Sequence, residues 1–207
     1  CSWFKSETEN GKPSRRQRLT YAIRGGISEE FLKAELDFEF DHELQEIIKC
    51  INLLSRFTHV NEDTFNIEVV KCEEYAQSIT DSFVSIFNLI TEVKENIKLI
   101  LHDYIGQEIF TKFIENVFDD LDILSSGTYQ EGAHVENFEI NEIDNNYIYI
   151  SGSGYVEVSL NYGSRKDATE LNDSFPFDFS CSSPVHMPKE LEININDINI
   201  DTSSWYE

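Results

Sequence analysis

The sequence predicts an α+β protein, with a helical N-terminal two-thirds followed by an antiparallel β-sheet subdomain. Three observations carry that expectation. Apolar residues recur three and four apart over most of the first 124 positions, the spacing that gives a helix one apolar face. Beyond Gly127 the period falls to two, the signature of strands with one buried face. With 40% hydrophobic residues among 207, the chain has enough apolar surface to close a core. The expected organisation is an exposed loop or linker over residues 1–14, a helical subdomain over 15–130 and an antiparallel β subdomain over 131–207.

Residues 1–14 include Asn10, Gly11, Lys12, Pro13 and Ser14, a loop composition. Leu19, Ala22 and Ile23 then give the segment from Arg15 to Ile23 a short apolar face, and Gly25 and Gly26 end it. Ser28 followed by Glu29 and Glu30 predicts an N-cap with acids at the positive end of the helix dipole, opening a second short helix to Leu36. Leu44, Ile47, Ile48, Ile51 and Leu54 predict an amphipathic helix from about Asp41 to Phe57. After a polar break from Thr58 to Asn66, a stripe from Ile79 to Leu101 predicts one long amphipathic helix, or a bent pair, between about Val69 and Tyr104. Gly106 is expected to interrupt it, and Ile109, Phe113, Val117, Leu121 and Leu124 to form a further helix.

In the last third, Phe138 to Ile143, Tyr147 to Ile150 and Tyr155 to Leu160 read as successive strands, the last two joined by a hairpin at Ser151-Gly152-Ser153-Gly154. Phe175, Phe177 and Phe179 alternate as another strand, with the rings in the core rather than exposed for base stacking. Leu191, Ile193, Ile195, Ile198 and Ile200 predict the final one.

Charge narrows the function classes. A net charge of −23 opposes a phosphate backbone over most of the surface and argues against a broad nucleic-acid platform. Seven of the 16 basic residues, however, fall in the first 33 positions, where only four acids oppose them. Any nucleic-acid contact is therefore expected through this N-terminal basic segment, with Arg15, Arg16, Arg18 and Arg24 as the phosphate-binding residues. Guanidinium forks match phosphate oxygens two at a time. The acidic β subdomain is in turn expected to suit a basic protein partner. No run of about 20 apolar residues is present, so no membrane partner is expected, and a cytoplasmic location with reduced cysteines follows from the scattered Cys1, Cys50, Cys72 and Cys181. The sequence begins at Cys1, with Met187 its only methionine, and reads as the C-terminal region of a longer protein.

For catalysis, Arg56 and His59 stand at the end of the amphipathic helix. An imidazole can protonate a leaving oxygen while a neighbouring cation stabilises the charge on phosphorus, so His59 is the expected general acid or base and Arg56 its electrostatic partner. The pair resembles a HEPN-type ribonuclease site, in which a histidine follows a basic residue on a helix. The acid clusters Asp37, Glu39, Asp41 and Asp119, Asp120, Asp122 are expected by chance among 39 acids, and no metal ligand is assigned. The cofactor is unknown. Glu92-Val93-Lys94 has the form of a restriction-endonuclease tail but lies within the long helix.

The segment Ser14-Arg15-Arg16-Gln17-Arg18 with Tyr21-Ala22 and Gly25-Gly26, followed by Phe57-Thr58-His59-Val60, resembles the predicted nucleases associated with prokaryotic PIWI modules in biological-conflict systems. So does Gly152-Ser153-Gly154-Tyr155-Val156-Glu157-Val158 with Tyr162-Gly163-Ser164 and Phe175-Pro176-Phe177. The resemblance touches residues 14–63 and 148–179. It implies an antiviral defence effector that hydrolyses nucleic acid. The alternative is a non-catalytic acidic interaction module of a larger defence or regulatory protein.

Overall fold

The computed structural model describes residues 12–57, 67–163, 167 and 169–206. The fold is α+β: helices α1 (Arg15–Arg24), α2 (Glu29–Leu36), α3 (Asp41–Phe57), α4 (Val69–Glu115) and α5 (Asp119–Asp122) precede strands β1 (Gly127–Ile143), β2 (Tyr147–Tyr162), β3 (Thr169–Pro184) and β4 (Ile198–Ile200). The chain divides into two compact units, Cys1–Asn96 and Ile97–Glu207.

In the first unit the helix ends follow local chemistry. Ser14 and Gln17 close a capping box on α1, Ser14 Oγ accepting from the Gln17 N–H at 3.2 Å and Gln17 Oε1 from the Ser14 N–H at 2.7 Å. Gly25 ends the helix at φ 61°, a backbone conformation that favours glycine, and its N–H reaches the Tyr21 carbonyl at 2.8 Å. Ser28 caps α2 by accepting from the Phe31 N–H at 3.0 Å. Ile23, Ile27, Leu32, Leu44 and Ile47 are buried.

The second unit is a sheet with one face buried. Its strands form an antiparallel meander in the order β1-β2-β3-β4. Ile97, Leu101, Ile105, Ile109 and Phe113 lie at every fourth position of α4 and are all at most 1% exposed. Burying each such side chain is worth about 1.5–3 kcal/mol. The Phe113 ring meets Phe118 at 4.5 Å and Phe177 of β3 at 5.0 Å, which places the helix stripe against the inner sheet face. Phe175, Phe177 and Phe179 are all buried there, as their alternation predicts.

Three expectations need correction. Gly106 does not interrupt the long helix, because α4 runs through it to Glu115, and a single glycine costs a helix only about 1 kcal/mol. The glycines 152 and 154 are not a hairpin, since β2 is continuous from Tyr147 to Tyr162. They are needed for close approach. A Cβ at Gly154 would stand 2.1 Å from the His134 carbonyl oxygen and 2.8 Å from the Phe177 ring, and one at Gly152 would stand 2.6 Å from the Phe179 ring. The real turn between β1 and β2 is Asp144-Asn145-Asn146. There Asp144 Oδ1 accepts from the N–H groups of Asn146 and Tyr147, both at 2.7 Å. Finally, the last strand is only Ile198–Ile200, because Asn194 Oδ1 caps a short 3-10 turn over Ile195–Asp197.

Candidate nucleic-acid interface

The four arginines expected to hold phosphate all lie on α1, and the structure separates them into two sets. Arg15 and Arg18, three apart, are both exposed. Arg15 Nη1 donates to Asn52 Oδ1 of α3 at 2.6 Å, while the Arg18 side chain has no ion pair or hydrogen-bond partner among the described residues. Arg16 and Arg24 stand eight apart, with Thr20 midway, so the three share one stripe. Arg16 pairs with Asp41 at the start of α3, and both members of the pair are about half exposed. Such pairs are worth about 0–1 kcal/mol and yield readily to a stronger anion. Arg24 is 5% exposed, and its Nη1 donates to the Ile27 carbonyl oxygen just past the glycine turn.

That stripe lines a recess of about 460 Å³ between α1 and the start of α2, which Ser14, Ser28, Glu29 and Glu30 complete. The site therefore offers cations at two depths, one fixed inside and one at the surface, with two carboxylates beside them.

Arg56 is exposed on the last turn of α3, and His59 lies outside the described residues. Among the described residues no group of three or more His, Cys, Asp or Glu side chains is arranged to hold a metal ion. The clusters at 37–41 and 119–122 do not form one.

A constellation that the sequence did not single out lies in the second unit. His134 of β1 stacks on Tyr155 of β2 with centroids 4.9 Å apart, and its Nε2 is 3.7 Å from Glu157 Oε2. The His134 and Glu157 side chains are both half exposed. Strand register alone makes the cluster, by pairing His134 with Tyr155 and Gly132 with Glu157.

Fold and surface together define an α+β protein that is acidic almost throughout, yet carries its densest group of cations on one short helix. Two family models, both described as "Predicted pPIWI-associating nuclease", match the chain, one over residues 90–206 and the other over residues 1–83. The chain belongs to that family. No curated protein and no solved structure matches it. No helix among the described residues is long and apolar enough to cross a membrane.

Proposed function

We propose that the chain is a nuclease of a prokaryotic defence system that binds nucleic acid through α1 and hydrolyses a phosphodiester. The observation that carries the binding half is the placement of Arg15, Arg16, Arg18 and Arg24 on a single helix at the surface of a protein of net charge −23. Elsewhere the surface repels phosphate, so a strand is guided to this helix. Membership of the nuclease family supports a nucleic-acid substrate. In this reading the arginines hold backbone phosphates, and Arg56 stabilises the negative charge that grows on phosphorus. His59 takes the proton from the attacking oxygen or gives one to the leaving oxygen.

The test is cleavage of labelled single-stranded RNA, single-stranded DNA and duplex DNA in magnesium and in EDTA, with His59→Ala beside the parent chain. Cleavage lost in the variant supports the assignment. Cleavage that survives it removes His59 from the mechanism.

A second reading has its own support. In the β subdomain over residues 131–207, 15 acidic residues stand against 3 basic ones, a net charge of −12. That subdomain is suited to dock a basic protein, with the helices as its carrier. Absence of cleavage on every substrate, together with salt-sensitive capture of a basic partner, would favour it.

A further inference from the structure

We infer that the recess between α1 and α2 receives the terminal monophosphate of a nucleic-acid strand, while Arg15 and Arg18 meet the diester backbone outside it. The inference rests on the reading of α1 as the phosphate-holding element. It starts from the division of the arginines: Arg16 and Arg24 line the recess with Thr20 between them, whereas Arg15 and Arg18 do not.

An internal phosphodiester carries one charge and is tied to a sugar on each side, so it lies along an open surface. A terminal monophosphate has one tether, three free oxygens and a charge of about −1.5 to −2 at pH 7. Only the terminal group can enter a recess end-on and present oxygens to both depths at once. Two guanidinium charges match a dianion. Thr20, a buried residue midway along the stripe, supplies a neutral hydroxyl donor between them.

Arg24 suits the inner position. Its bond to the Ile27 carbonyl holds the guanidinium in place before any ligand arrives, so little side-chain freedom is lost on binding. Arg16 suits the outer one, because its partner Asp41 is exposed and an incoming phosphate competes with it in water.

Glu29 and Glu30 are exposed on the same recess and set its selectivity. Their carboxylates repel the additional charge of a di- or triphosphate end. The recess therefore distinguishes monophosphate ends from hydroxyl ends by attraction, and from triphosphate ends by repulsion.

The experiment is fluorescence anisotropy in EDTA on a parent chain that carries His59→Ala, so that neither a metal nor the imidazole can cleave the strand and binding alone is read. It uses one internally labelled single strand with a 5′-monophosphate, a 3′-monophosphate, a 5′-triphosphate or hydroxyls at both ends. One of the two monophosphate ends is expected to bind about tenfold tighter than the hydroxyl-ended strand, the gain expected of one charge-assisted hydrogen bond. Which end it is identifies the source of the group. Arg16→Ala, and separately Arg24→Lys, which keeps the charge but loses the fork, should each erase the preference between ends.

Equal affinity of the parent chain for monophosphate and hydroxyl ends would overturn the inference. If that common affinity falls in Arg15→Ala/Arg18→Ala, only end recognition has failed. If it does not, the reading of α1 has failed with it.

Discussion

Two glycine-to-alanine substitutions should move stability in opposite directions, because one glycine faces a wall and the other faces open space. At Gly154 the new methyl would lie 2.1 Å from the His134 carbonyl oxygen and 2.8 Å from the Phe177 ring. Neither neighbour can yield cheaply: the oxygen belongs to the backbone of β1, and Phe177 is 2% exposed in the core. The strand pair must separate locally or the core must repack, so Gly154→Ala should cost about 3 kcal/mol, at the upper end of overpacking effects. At Gly106 nothing stands within 4 Å of the added methyl, and the residue is inside α4. Gly106→Ala should therefore stabilise by about 0.5–1 kcal/mol, from helix propensity and the smaller entropy of the unfolded chain. Urea unfolding followed by circular dichroism reads both. For a chain of this length 1 kcal/mol corresponds to about 2–4 °C in Tm, so melting temperatures should separate the variants by several degrees. A Gly154→Ala chain that unfolds with the parent midpoint would refute the packing of β2 under Phe177.

Other expected outcomes follow from the same contacts. Phe113 is 1% exposed, stacks on Phe118 and meets the Phe177 ring at a tilt, so Phe113→Ala should cost about 3–5 kcal/mol in denaturant unfolding. Burial pushes the Cys181 thiol up to about 12, so at pH 8 it should resist iodoacetamide until the protein unfolds, while the exposed Cys72 reacts in the native state; mass spectrometry distinguishes the two. The N–H groups of Tyr147 and Asn146 hold the Asp144 carboxyl below its ordinary value. A depressed folded pKa contributes stability above the unfolded value of about 3.9 and loses it as pH falls through the folded one. The deficit of Asp144→Ala in unfolding experiments should thus be present at pH 7 and shrink below about pH 4.

Where side chains alone decide an element, the sequence is a reliable guide. The helix Asp41–Phe57 has the expected ends, and Ser28 caps the second helix as its type predicts. Long-range packing is where the reading fails. Gly152 and Gly154 look like turn residues because a sequence does not display the Phe177 and Phe179 rings that need the space above them. Gly106 looks like a break because the burial that holds the helix through it comes from Ile105 and Ile109 against other parts of the second unit. Along β1, register shifts after Gln130, Val135 and Ile140 scramble the alternation, so only Phe138, Ile140 and Ile143 toward its end announce a strand. The interface divides in the same way. Composition locates the arginines of α1, but only the folded chain sorts Arg16 and Arg24 into a recess and leaves Arg15 and Arg18 outside. His134 and Glu157 are 23 positions apart and meet only through strand register.

The central claim is that α1 holds nucleic-acid phosphates, and the salt dependence of binding tests it most directly. The slope of log affinity against log salt for a hydroxyl-ended single strand counts the phosphates neutralised, at about 0.7 each. Removing two contacts in Arg15→Ala/Arg18→Ala should lower its magnitude by about 1.4, with a parallel loss of affinity at low salt. An unchanged slope would place the strand elsewhere on the protein and contradict the account.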